Sequence, residues 1–181
     1  MKKENNVMYV VRLAVTLLVI AGVMAAALAG VNSVTAPIIE QITYNKTQDA
    51  VKMVLTGGGD EVEFPAMDLV STVYKGENCY AVEVTPSGFD NTITMMVGVD
   101  NEGVVTGISI IDHSETAGLG AVAAATTAAG EAFRAQFKGL SGSVSVSKDG
   151  GQVDAITSAT ITSRAVCAGV NAALAVVAAM G

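Results

Sequence analysis

Residues 92–111 read TITMMVGVDNEGVVTGISII, and this stretch decides the fold. Thr92–Val99 and Val104–Ile111 are rich in β-branched side chains, with Asp100-Asn101-Glu102-Gly103 as a turn between them. They read as an antiparallel hairpin. Toward the N-terminus, Cys79–Thr85 is a further strand, bounded by the turns Lys75-Gly76-Glu77-Asn78 and Pro86-Ser87-Gly88. Before it, Val70, Thr72 and Tyr74 alternate with polar positions. Beyond the hairpin the period becomes helical. The alanine-rich residues 121–137 predict a helix with Phe133 and Phe137 one turn apart. Ser141–Ser147 predicts a short strand. Thr162–Met180 predicts a closing helix with Val166, Val170, Leu174 and Val177 as its apolar stripe. The expected class is α+β: a mostly antiparallel sheet of four or five strands flanked by helices, in one domain over residues 60–181.

A different segment precedes this domain. Leu13–Val31 is LAVTLLVIAGVMAAALAGV, and no charge occurs between Arg12 and Glu40. At 1.5 Å per residue this run matches a hydrocarbon core of about 30 Å. Lys2, Lys3 and Arg12 precede it, and the next basic residue is Lys46. The positive-inside rule then places residues 1–12 in the cytoplasm and the domain on the outer side of a single-pass cell (inner) membrane protein. Ala27-Leu28-Ala29 resembles a signal-peptide cleavage site, but the apolar run exceeds an ordinary signal core, so a retained anchor over 13–31 is the expectation. Ala36-Pro37 interrupts the helical pattern. Ile38–Leu55 resumes it with Ile38, Ile42, Val51 and Leu55 as a stripe, and Gly57-Gly58-Gly59 stops it. Residues 32–59 thus read as a juxtamembrane helix and turn. The three glycines lack the Lys-Ser/Thr of a phosphate loop.

Charge and cysteines exclude several functions. The formal net charge of the 181-residue chain is −7, and seven basic side chains face sixteen acidic ones after Arg12. Nucleic acid is therefore not an expected partner. Cys79 and Cys167 have no metal-like spacing, so no zinc or iron–sulfur site is expected. They could pair as a disulfide outside the cell, but Cys167 falls on an apolar helix face, where a free thiol packs as a small hydrophobe.

Two segments can carry chemistry. The first is the hydroxyl cluster Thr157, Ser158, Thr160, Thr162 and Ser163 ahead of the last helix. A helix N-terminus favours phosphate, and a hydroxyl there can be esterified. The same residues also serve as ordinary helix caps. The second is the loop Asp112-His113-Ser114-Glu115-Thr116-Ala117-Gly118-Leu119-Gly120. Its glycines permit close backbone approach to a ligand. His113 is the sole histidine, with Asp112 and Glu115 beside it, which suits a structural role better than a metal or acid–base one. Thr160 as a nucleophile, activated by Asp154 or His113, is a third possibility that the spacing does not compel.

Together these segments resemble the FMN-binding domain family. Asp154-Ala155-Ile156-Thr157-Ser158-Ala159-Thr160 is similar to its flavinylation motif, in which the last threonine carries FMN through a phosphoester. His113–Gly120 is similar to its flavin-facing loop, and Phe133-Arg134-Ala135-Gln136-Phe137 between them is also familial. The likeness runs from about Thr92 to the C-terminus. With the anchor, the whole chain resembles the family of G subunits of Rnf electron-transport complexes. It is less similar to the related C subunits of sodium-pumping NADH:quinone reductases, which are usually longer. The family commonly has glycine where Ser158 stands and proline where Ala117 stands. The resemblance implies covalent FMN on Thr160, attached by a flavin transferase that uses FAD as donor and recognises Asp154. Thr162 and Ser163, with their backbone N–H groups, would hold the phosphate, with Thr157, Ser158 and Ala159 around it. Glu115, Thr116, Gly118 and Leu119 would lie near the ring, with His113 and Gly120 in the same loop. Arg134 and Lys138 are candidate counter-charges. The implied role is electron carriage among the other Rnf subunits, joining ferredoxin and NAD chemistry to sodium or proton translocation. The chain alone is not expected to be a complete enzyme. A free-standing membrane-anchored flavodomain is one alternative, and an anchored binding or structural protein is the other.

Overall fold

The structure, a computed structural model, describes residues 6–55 and 58–181, so Lys2, Lys3 and Gly57 lie outside the described residues. Helix α1 spans Asn6–Val54. The chain divides into two compact units, Met1–Tyr44 and Asn45–Gly181.

In the first unit the large apolar side chains are exposed, Leu17 at 65 % and Leu18 at 73 % among them. A helix apolar on all sides, with its apolar window wholly unburied, has the character of a membrane span. The expected break at Pro37 does not occur, because α1 runs through it. Proline removes the bond to the carbonyl four residues back and crowds that carbonyl, a local cost that need not end a helix. Ending the helix there would free several backbone groups at once, whereas continuing it leaves one carbonyl without its partner.

The second unit is built on a five-stranded antiparallel sheet in sequence order: β1 Asp60–Val62, β2 Val70–Lys75, β3 Cys79–Val84, β4 Thr94–Asp100 and β5 Val105–Asp112. The expected hairpin is β4–β5. In its turn Asp100 Oδ1 accepts from Glu102 N at 2.9 Å and from Val104 N at 2.8 Å, and Gly103 takes φ 77°. Helix α3, Thr160–Met180, covers one face of the sheet. Its residues Val166, Val170, Leu174 and Val177 pack with Val82, Val84, Met95 and Val97. α3 is long and apolar enough to cross a membrane, but it is mostly buried in the domain and serves as its core helix. The last turns of α1 cover the other face, where Val51, Val54 and Leu55 meet Ala81, Met96 and Ile111. Gly98 permits this contact, since a Cβ there would lie 2.8 Å from Val54 Cβ. In the sequence stripe Ile38-Ile42-Val51-Leu55, only Val51 and Leu55 are buried.

Two expected elements differ. Residues 121–137 do not form one helix: a 3₁₀ turn occupies Gly120–Ala123, and helix α2 spans Ala128–Ala135. The Arg134 guanidinium donates to Ala123 O at 2.6 Å and Ala125 O at 3.0 Å, taking carbonyls that a continuous helix would use. Thr127 caps α2 by accepting from Gly130 N. Helix propensity of alanine is a weak preference, and these bonds override it. Phe133 and Phe137 do meet, edge to face at 5.4 Å. Ser141–Ser147 is not a strand either. The Asn171 side chain donates to Val144 O and accepts from Val144 N, both at 2.8 Å, satisfying backbone groups a ladder would otherwise pair. Cys79 and Cys167 are both free and belong to clusters on opposite faces of the sheet. Burial pushes the Cys167 thiol up to about 11, which makes it unreactive.

Candidate functional site

The N-terminus of α3 and the loop after β5 meet in a cleft of roughly 280 Å³. It is lined by Glu115, Thr116, Leu119 and Gly120 from the loop, by Ser158 through Thr162 from the motif, and by Phe89. Small-molecule sites usually run from about 300 Å³ upward, so this cleft can enclose part of a flavin-sized group and leave the rest at the surface.

Glu115 ties the walls together. It is 8 % exposed, and its Oε1 accepts from Phe89 N at 2.8 Å and from Asp90 N at 3.3 Å. Its Oε2 accepts from the Thr162 hydroxyl. Glu115 N in turn donates to His113 Nδ1 at 3.2 Å. Two glycines make room for the carboxyl: a Cβ on Gly88 would lie 2.2 Å from Oε1, and one on Gly120 would lie 2.3 Å from Oε2. Glu115 is thus a bolt joining the Pro86–Ile93 turn, the loop and α3.

The hydroxyls of the motif are now separable. Ser163 Oγ donates to Ala159 O and accepts from Ile156 N, both at 3.0 Å. Thr162 is buried and bonded to Glu115. Both hydroxyls are engaged within the domain, which leaves only the backbone part of the phosphate contact that the resemblance implies for these two residues. Thr157 and Ser158 are exposed, and Ser158 lines the cleft. Thr160 opens α3, lines the cleft and is half-buried. The capping alternative fails here, since the N-cap is Ala159 and no side chain caps the helix. Ser163 N pairs with Ala159 O, so the N–H groups of Ile161 and Thr162 stand ahead of the helical ladder. An uncapped start of a 21-residue helix is favourable ground for an anionic group.

The residue before the N-cap is unusual. Ser158 takes φ 63°, in the left-handed region. This conformation costs a residue with a Cβ about 1–2 kcal/mol and glycine almost nothing. The preference for glycine here has that physical origin, and serine accepts the strain.

Other expected site residues lie outside the cleft lining. Asp154 has an exposed side chain. Its backbone is fixed by Gln136, whose Oε1 accepts from Asp154 N at 2.7 Å and whose Nε2 donates to Asp154 O at 3.3 Å. His113, Gly118 and Ser163 are not part of the lining; His113 accepts from Glu115 N, and Ser163 ties Ile156 to the start of α3. Arg134 donates to two carbonyls, Lys138 is exposed, and neither is part of the lining. Three residues escaped the sequence reading. Phe89 and Ile161, 66 % and 50 % exposed, join Leu119 as an apolar rim. Lys148 Nζ donates to Thr160 Oγ1 at 3.1 Å. Lys148 belongs to a 3₁₀ turn, Ser147–Asp149, and no spacing rule connects that turn with Thr160. An aromatic residue directly after the turn glycine, Gly88-Phe89, was the one available signal. Among the described residues, no cluster of His, Cys, Asp and Glu could hold a metal ion.

Residues 88–175 match the family model of the FMN-binding domain. The chain is 34 % identical to the G subunit of the Na(+)-translocating ferredoxin:NAD(+) oxidoreductase complex of Acetobacterium woodii, over 90 % of this chain and 88 % of that protein. It is 31 % identical to the G subunit of the ion-translocating oxidoreductase complex of Methanosarcina acetivorans, over 91 % and 93 %. The G subunit of the proton-translocating ferredoxin:NAD(+) oxidoreductase complex of Clostridium ljungdahlii is 29 % identical, over 96 % and 92 %.

Proposed function

The chain belongs to the family of G subunits of Rnf-type ion-translocating oxidoreductase complexes, electron-transport subunits with an FMN-binding domain, and we propose that it carries FMN covalently through a phosphoester to Thr160. The observation that carries this reading is the division of labour among the hydroxyls. Thr162 and Ser163 are consumed inside the domain, whereas Thr160 stands in the cleft at an uncapped helix N-terminus. The residues present suit a flavin phosphate. Backbone N–H groups at Ile161 and Thr162 and the Lys148 ammonium would face the phosphate, and Phe89, Leu119 and Ile161 would flank the apolar ring. Bound there, FMN supplies the redox chemistry, while the chain supplies position and surroundings.

In this reading a flavin transferase acts on the domain from outside. Exposed Asp154, held by Gln136 through its backbone, is a recognition feature for that enzyme rather than a base of this chain. The apolar helix over 13–31 crosses the membrane once, with the basic N-terminus on the cytoplasmic side and the domain on the other. A tether prevents loss of the cofactor on that side. The partners are the other subunits of the complex.

Co-expression with a flavin transferase, followed by intact-protein mass measurement, tests the proposal. Wild type is expected to gain one FMN-phosphoryl group and Thr160→Ala none. A wild-type chain that stays unmodified while a known substrate of the transferase is modified would refute it.

A further inference from the structure

We propose that Lys148 poises Thr160 for modification and afterwards neutralises the phosphodiester it carries. The inference rests on the reading of Thr160 as the tether. An ammonium has three donors and no acceptor, so the contact at 3.1 Å fixes its own direction: Lys148 donates and Thr160 Oγ1 accepts. The threonine proton must therefore point away from Lys148. One oxygen lone pair is occupied, the hydroxyl proton is left for an external base, and the other lone pair is free to attack.

The surroundings hold this arrangement in place. The turn that bears Lys148 is closed by Ser147 N donating to Val153 O at 2.7 Å and Gly151 N donating to Val146 O at 3.0 Å. Gly150 takes φ 83°, and a Cβ on Gly151 would lie 2.1 Å from Ser145 O, so the turn depends on both glycines. Asp149 then grips Arg164 of α3 with two bonds of 2.7 Å. The Arg164 guanidinium holds the Asp149 carboxyl below its ordinary range, so the grip persists at neutral pH. Arg164 lies one helical turn beyond Thr160, so the turn is clamped to the helix at the position that brings Lys148 over the hydroxyl. Asp149 and Arg164 cancel each other, and Lys148 supplies the net charge of the cluster.

The proposed transfer balances as follows. Thr160 Oγ bonds to the riboflavin-side phosphorus of FAD. The bond from that phosphorus to the bridging oxygen breaks, AMP leaves, and the threonine proton passes to a base of the transferase. Negative charge gathers on the phosphoryl oxygens, where an ammonium at hydrogen-bond distance is most effective. The product keeps one negative charge beside Lys148.

The test measures the initial rate of FMN incorporation from FAD into the full chain in detergent, using purified flavin transferase. Lys148→Met is expected to slow incorporation roughly ten- to a hundredfold, the usual worth of a hydrogen bond to a charged group. Lys148→Arg, which keeps the charge, is expected to recover most of the rate, which a purely structural role would not require. Lys52→Met, on the opposite face of the sheet, removes an equal charge and is expected to react like wild type. Arg164→Gln frees the turn while leaving Lys148 and is expected to be slowed several-fold; it carries the test should Lys148→Met not fold. A Lys148→Met chain that folds and reacts at the wild-type rate overturns the role of Lys148 and leaves Thr160 as the tether. Slowing in Lys148→Met with no recovery in Lys148→Arg also overturns it. Wild type that accepts no FMN overturns both.

Discussion

Replacing Glu115 by alanine tests whether the cleft is held by its carboxyl or merely by chain packing. The substitution removes acceptors from Phe89 N, Asp90 N and the Thr162 hydroxyl, and Thr162 is left 1 % exposed without its partner. A hydrogen bond to a charged group contributes about 1.5–3 kcal/mol, and an unsatisfied buried donor costs about 1–3 kcal/mol. The two amides on the Pro86–Ile93 turn can recover water, so the three losses do not add fully. The expected destabilisation is roughly 3–5 kcal/mol. At about 2–4 °C per kcal/mol for a domain of this size, the melting temperature falls by roughly 6–20 °C. Glu115→Gln is the informative companion. Its oxygen still accepts from the Phe89 and Asp90 amides, and only the Thr162 bond must reverse, with the hydroxyl as acceptor. A loss of about 1–2 kcal/mol is expected. Thermal and urea melts of both variants in detergent check the pair. A Glu115→Ala loss under about 1 kcal/mol, or equal losses for Ala and Gln, would refute the bolt.

Three further outcomes follow from the same geometry. Ser158→Gly relieves the left-handed strain and is expected to raise stability by about 0.5–1 kcal/mol, while a β-branched Ser158→Val loses at least about 1 kcal/mol; urea midpoints check the order. Burial raises the Glu83 carboxyl above its ordinary range, so the folded state binds its proton more tightly than the unfolded state does. That contribution is full below the ordinary glutamate range and is lost as pH rises through the raised value, so Glu83→Gln is expected to be the more stable at pH 7, with the advantage vanishing below about pH 4 in melts across pH. Phe89→Ala is expected to leave the apo melting temperature nearly unchanged, because the ring is 66 % exposed, but to make the bound flavin more accessible to a soluble fluorescence quencher.

The sheet was legible because its signals are local. The β-branched runs of β4 and β5 and the Asp100–Gly103 turn need no tertiary information, and the apolar stripe of α3 from Val166 to Val177 is periodic over about three turns. The misreadings arose where one distant side chain took over backbone groups. Arg134 splits the alanine-rich segment, and Asn171 satisfies Val144 in place of a strand. Neither residue carries that role in its neighbours. The motif around Thr160 and the loop at Glu115 were found by resemblance, but their hydroxyls could not be sorted from sequence. Only packing shows that Thr162 and Ser163 face inward and that Ser158 has a positive φ. Lys148 was missed because twelve residues separate it from Thr160 and only the clamp between Asp149 and Arg164 closes that gap.

The covalent bond at Thr160 is open to direct measurement. Protein isolated after co-expression with a flavin transferase can be denatured, digested and sequenced by tandem mass spectrometry. One FMN-phosphoryl group is expected to survive denaturation, on Thr160 alone, and to be absent from Thr160→Ala. Flavin released on denaturation, or found on Thr157 or Ser158 instead, would contradict it.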